Sequence, residues 1–196
     1  KISDHPLLRY LDERIEEGLN ACLCLTAAAT GSDRISDLET KLRSSRESHQ
    51  RAILIEAMES LLSAEKRAEL VQLYEIEDAL ERGKVAARWL EIALPAREQA
   101  WSDLANDSDE LVVRLQAELP PPWLVAEDPI ADTRGVSMQT MQITAHLQRA
   151  PAFNRLATRE LVRVAEAVDE IQLDSDEILF EAGADRASRY LLISGE

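Results

Sequence analysis

Apolar residues recur at three- and four-residue steps along most of this chain, and the step changes to alternation only near its end. Leu8, Leu11, Ile15, Leu19, Cys22 and Leu23 share one helical face, with Arg9, Asp12, Glu13, Glu16 and Glu17 on the other. Asp4 and Pro6 suit the start of this helix and Gly31 its end. A second helix is expected to bury Ile35, Leu38 and Leu42, and a third, about 46–62, to bury Leu54, Ala57, Met58 and Leu61. Ser63 can cap a fourth, with Glu65 in its first turn and Leu70, Leu73 and Tyr74 facing inward. A fifth, about 77–94, would bury Leu80, Val85 or Ala86, Trp89 and Leu90, with Gly83 a tolerated weak point and Pro95 a forced boundary. Helices over 97–104 and 110–119 follow, separated by a loop, Asn106 to Asp109, that supplies a cap. Short connections oblige such helices to pack antiparallel on their neighbours.

Pro120, Pro121 and Pro122 exclude helix and favour a stiff spacer, so 120–137 reads as a linker. Trp123 and Leu124 would pin it to a neighbouring surface, or else Trp123 binds a partner. Helical spacing returns at Met138, Met141, His146 or Ala145, and Leu147, until Pro151 breaks it. Thr158 can cap the next helix, with Glu160 in its first turn and Leu161, Val164, Ala165 and Val168 as its buried stripe. Ile171 and Leu173 then alternate with Glu170, Gln172 and Asp174, as in a half-buried strand. Ile178 and Phe180 alternate with Leu179, and Tyr190 to Ile193 form a continuous apolar run suited to a strand covered on both faces. Gly183 falls between them, where a turn needs tolerance of positive φ. A β-unit is opened here without an opposite wall, and each of its large apolar side chains would forfeit about 1.5–3 kcal/mol if left in water. Partly exposed, swapped or unfinished sheet is therefore expected at this end.

Composition sharpens the picture. The formal net charge of -15 lowers the expectation of nucleic-acid binding and of attraction to anionic membrane surfaces. Cys22 and Cys24 diverge around a helix and cannot readily bridge each other, which suits plain packing in a reducing, cytoplasmic compartment. No run approaches the roughly 18 apolar residues of a membrane span, and no signal peptide opens the chain. With Lys1 in place of an initiator Met, both ends read as cuts through a longer polypeptide.

Four pieces of the last quarter, taken in order, resemble the cyclic-nucleotide-binding domain family. They are Pro151-Ala-Phe153-Asn-Arg-Leu156, Arg159-Glu160-Leu161-Val-Arg-Val-Ala165, Asp176-Glu-Ile178-Leu179-Phe180-Glu-Ala-Gly183 and Arg189-Tyr190-Leu191-Leu192-Ile193-Ser194-Gly195. The family pairs a short helix, a Phe-x-x-Leu turn and a second helix with the strands of a β-roll. Upstream, Asp109-Glu-Leu-Val-Val113-Arg114-Leu-Gln-Ala117-Glu-Leu119 resembles the second helix of a HEAT repeat, and the stretch from Arg51 to Met58 echoes it without the acidic start and the Val-Arg pair. A plain helical bundle is the alternative. The expected fold is mainly α, with a HEAT-like solenoid or bundle over 1–119, a Pro-rich linker over 120–137, and the incomplete start of a β-roll (jelly-roll) sensor domain over 138–196.

Chemistry is sparse. There is no nucleophile elbow, phosphate loop, dinucleotide fingerprint or His-Glu-x-x-His pattern. Pairs such as Glu16 with Glu17, or Asp107 with Asp109, are easily found among 37 acidic residues and suit solvated faces and caps. His5, His49 and His146 are scattered, so no catalytic, cofactor-binding or metal residues are assigned. The resemblance implies a phosphate-binding cassette, with a Glu for the ribose and an Arg for the phosphate. That cassette would follow Glu196, because Ser194-Gly195-Glu196 is a turn in the family pattern. No ligand-contacting residue therefore carries over, and cyclic AMP or GMP belongs to the complete domain. The implied role is a non-catalytic regulatory or scaffold segment of a larger bacterial protein, similar in architecture to the soluble tails of transporter-like, nucleotide-translocase-like membrane proteins. Its partners would be other proteins or neighbouring domains. The alternatives are an interaction scaffold with a degenerate, non-binding sensor, and the regulatory region of an enzyme.

Overall fold

Ala, Leu, Glu and Arg dominate the sequence, and helix is the conformation in which they lose least entropy. A computed structural model of the chain describes residues 5–30, 34, 37–38, 40–41, 48–62, 71–76, 78–124, 139–181 and 190–193. Its elements are α1 (Pro6–Thr30), α2 (Ser48–Glu59), α3 (Gln72–Glu75), α4 (Ala79–Trp89), α5 (Arg97–Asp103), a 3-10 turn (Leu104–Asn106), α6 (Glu110–Glu118), α7 (Thr140–Arg149) and α8 (Thr158–Glu166). The described residues are mainly helical, as the hydrophobic spacing predicts, and contain no strand.

The chain separates into two compact units, one of Leu11–Asp103 and one of Lys1–Tyr10 with Leu104–Glu196. This division differs from the expected boundaries at 119/120 and 137/138. The reason is long-range bonding: His5, Arg9 and Tyr10 all bond to residues between 109 and 159.

In the unit of Leu11–Asp103, Leu19, Leu23, Ile55, Leu62, Val71 and Tyr74 form the core, with Leu38, Leu61 and Leu73 packed against it. Tyr74 satisfies its buried hydroxyl by donating to Asn20 Oδ1 at 3.2 Å. Arg82 donates from Nε and Nη2 to the Ile76 carbonyl and from Nη1 to Glu16, which holds the start of α4 against α1. Asp78 caps α4 by accepting from the Glu81 amide at 2.8 Å. The expected 77–94 helix stops at Trp89 instead of running on towards Pro95. Glu91 adopts a φ of 53°, its amide bonds the Arg88 carbonyl, and the Ile92 amide bonds the Ala87 carbonyl. Those are the two bonds of a Schellman ending, formed here without glycine.

Several expected buried positions are exposed in this unit. Ile15, Leu80, Trp89 and Leu90 face solvent, while Val85 and Ala87 carry the buried face of α4. Cys22 and Cys24 are both exposed, which corrects the expectation that they pack. Leu19, Leu23 and Thr26 set the buried stripe of α1 here, and the cysteines fall beside it. The Asp4 and Gly31 ends of α1, Ile35, Leu42, Ser63, Glu65, Leu70 and the Leu54 and Met58 side chains lie outside the described residues.

In the other unit, α7 and α8 form a helical hairpin around Leu147, Leu161 and Ala165, with Ile143, Phe153, Leu156 and Val164 packed on it. Met141 and Leu147 are buried as the spacing predicts, and of the alternatives Ala145 and His146 it is Ala145 that is buried, joined by Thr144 and Gln148, while Met138 lies outside the described residues. Ala157, not Thr158, is the cap of α8, and Glu160 reaches back to accept its amide at 2.9 Å. This is half of a capping box, and it needs no side chain at the cap itself.

The expected strands are not formed among the described residues. Ile171, Leu173, Ile178, Phe180 and Tyr190 to Ile193 are exposed and irregular, as is Val168 after α8. Without a second layer there is no buried face to set a register, and isolated extended segments do not build a ladder. Residues 125–138, most of the expected linker, lie outside the described residues, as do Gly183 and Ser194 to Glu196.

Candidate functional site

Among the described residues, a cluster of polar side chains joins α1, α6 and α8. Asp109 caps α6, its Oδ1 accepting from the Leu111 amide at 3.0 Å, and its own amide donates to Asp107 Oδ1 at 2.8 Å. This leaves Oδ2 facing outward from the helix start. Tyr10 donates its hydroxyl to that oxygen at 2.7 Å, and Arg159 Nη2 donates to it at 2.7 Å. Arg159 Nε closes the ring by donating to the Tyr10 oxygen at 2.6 Å, and its guanidinium lies 5.3 Å from the Tyr10 ring centroid.

The electrostatics follow from this geometry. Burial, followed by the bond to Asp109, pushes the Tyr10 phenol above its ordinary value. Its bond to Tyr10, before the attraction of Asp109, holds the Arg159 guanidinium still more firmly charged. Asp109 Oδ1 accepts from the Leu111 amide and Oδ2 from Tyr10 and Arg159, and Tyr10 both donates and accepts. These bonds turn Tyr10, Asp109 and Arg159 towards one another and tie the starts of α1, α6 and α8 together.

Two further ties surround it. His5 Nε2 donates to the Pro120 carbonyl at 3.0 Å, and burial lowers the His5 pKa against the raising effect of that bond. Arg9 Nη2 donates to the Leu156 carbonyl and, at 3.4 Å, to that of Asn154, in the turn between α7 and α8. That turn is built by the Phe153 and Asn154 amides bonding the Ala150 carbonyl and the Leu156 amide bonding that of Phe153. It directs Phe153 and Leu156 onto Leu161 and Ala165.

Asp107 and Asp109 serve helix capping, as their spacing suggests, and Glu16 pairs with Arg82 at 3.2 Å. His5 and His146 occupy α1's start and α7, and the His49 side chain lies outside the described residues. Among the described residues, no group of three or more His, Cys, Asp and Glu side chains is arranged to hold a metal ion. No described helix is long and apolar enough to cross a membrane. Sequence reading misses Tyr10 and Arg159 as members of the cluster. Asp109 was legible as a cap, but its other partners lie 99 and 50 residues away in sequence.

The second feature is the exposed apolar surface after α8. Ile178, Phe180, Tyr190, Leu191, Leu192 and Ile193 are all accessible, and the Phe180 and Tyr190 rings stack at 5.9 Å with 19° between their planes. Comparisons with protein-family models, with curated proteins and with solved structures find no match.

Proposed function

We propose that this chain is a non-catalytic regulatory segment of a larger bacterial protein, in which a HEAT-like helical module is coupled to the opening part of a cyclic-nucleotide-sensing domain. The observation that carries the reading is the α7–turn–α8 hairpin. Phe153 and Leu156 of the Phe-x-x-Leu turn pack on Leu161 and Ala165 of the helix that follows, which is the use the family pattern implies for them. The Phe180–Tyr190 stack supports it further, since it joins the two pieces that resemble consecutive strands. In this reading Ile178, Phe180 and Leu191 to Ile193 are covered when the β-roll is complete, and the ligand contacts come from a cassette following Glu196. A sensor of this type closes on its ligand and shifts the helices packed against it. The architecture resembles the soluble tails of transporter-like membrane proteins.

Calorimetry on the full-length protein tests this. Heat of binding with cyclic AMP or cyclic GMP is the expected result, and none with either sinks it. A second reading is favoured by the exposed apolar surface itself: an interaction scaffold whose sensor domain is degenerate. It predicts no nucleotide heat together with association through Ile178, Phe180 and Leu192.

A further inference from the structure

Two charge pairs join α6 to α8, and their signs alternate. On α6, Asp109 is followed five residues on by Arg114; on α8, Arg159 is followed seven residues on by Glu166. Asp109 pairs with Arg159 at 2.7 Å and Arg114 with Glu166 at 3.0 Å. The first pair joins the starts of the two helices, and the second joins the middle of α6 to the last residue of α8. Reversing α8 end for end would bring Arg159 to Arg114 and Glu166 to Asp109, so the pairs admit one orientation and one register. Arg114 also pairs with Glu118 at 3.8 Å, and Glu118 accepts from the Met141 amide at the start of α7 at 3.4 Å. Tyr10 adds the third partner at the Asp109 end.

The second consideration is strength. Arg114 and Glu166 are 43% and 47% exposed, and Arg159 is 63% exposed against 16% for Asp109. The Arg114–Glu166 pair is weak singly and is screened by salt, while Asp109, less exposed and also accepting from Tyr10, makes the firmer of the two. They select a geometry without making it permanent. We propose that the α6–α8 contact is a reversible electrostatic latch, keyed by Asp109–Arg159 and Arg114–Glu166, through which the two helices open together. The inference goes beyond the sensing role and stands whether or not a cyclic nucleotide binds.

Hydrogen exchange measured on the whole chain tests it. R114E should speed exchange of amides in both α6 and α8 by roughly two- to fivefold, the scale that a partly exposed pair supports, and R114E/E166R should restore the slower rates. D109N, which keeps a capping side chain but not its charge, should do the same from the other end. Raising salt on the unaltered protein should reproduce the effect even where a variant folds poorly. Exchange that rises in α8 while α6 stays unchanged, or that ignores salt, overturns the latch. So does a double reversal no slower than the single one.

Discussion

Arg159 holds Tyr10 in two ways at once: its Nε donates to the phenol oxygen at 2.6 Å, and its guanidinium carbon lies 5.3 Å from the ring centroid. A cation over an aromatic face and a bond to the same residue's hydroxyl confine the arginine to one pose. That pose also presents Nη2 to Asp109, so residues 10, 109 and 159 share a single arrangement.

Removing the hydroxyl alone should separate these contributions. Tyr10→Phe keeps the ring under Arg159 but takes a donor from Asp109 and an acceptor from Arg159. A loss of about 1–2 kcal/mol is expected. Tyr10→Ala also removes a buried ring and should cost about 3–5 kcal/mol, as for other large aromatic truncations. Urea denaturation of both variants measures the difference; a Tyr10→Phe variant as stable as the unaltered protein would show that the hydroxyl bonds contribute nothing.

Glu91 offers the opposite sign. It holds a left-handed φ of 53° at the end of α4, a position where glycine escapes the Cβ penalty. Glu91→Gly should stabilise the protein by about 1 kcal/mol, the lower end of that penalty. Thermal melting detects this as a rise in midpoint.

His5 supplies a pH dependence. Its pKa is lowered in the folded chain from the ordinary 6.5, mainly by burial. Below 6.5 the unfolded chain takes up the proton more readily than the folded one. Stability therefore falls as pH drops from 6.5 to the folded value, and is level in this respect above 6.5. His5→Gln should flatten that part of the stability profile. Denaturation midpoints collected between pH 5 and 8, a range set by ordinary histidine titration, decide it.

The α7–α8 hairpin and the segments after it should respond very differently to truncation. Leu161 is fully buried, and Leu161→Ala should cost about 2–5 kcal/mol. Leu192 is 76% exposed, and Leu192→Ala should change stability by no more than about 0.5 kcal/mol. A large loss from the second change would mean that Leu192 is covered in the protein in solution.

Helix was legible in the sequence wherever the signal was short-range. The spacing of Met141, Ala145 and Leu147 identified the buried face of α7, Pro151 its end, and Asp109 the start of α6. Each depends on residues within a turn or two, and backbone geometry alone turns that spacing into a face or a cap. The same reasoning failed for Leu80, Trp89 and Leu90, because an apolar stripe states which residues could be buried and not whether a neighbour arrives to bury them. Alternation at Ile171 and Leu173, or at Ile178 and Phe180, has the same weakness. A strand exists only once another segment pairs with it.

The pieces that resemble a cyclic-nucleotide-binding domain were likewise visible as local patterns. The Asp109–Tyr10–Arg159 cluster was not, although every one of its residues could be read. By itself the sequence determined the mainly helical character, the Asp109 cap of α6 and the acidity of the chain, since those follow from composition and from neighbours along the backbone. Tertiary structure alone decided that α1 begins against α6 and α8, that Arg114 meets Glu166, and that the cysteines face solvent. Those outcomes depend on distances between residues far apart in the chain, and periodicity carries no information about them.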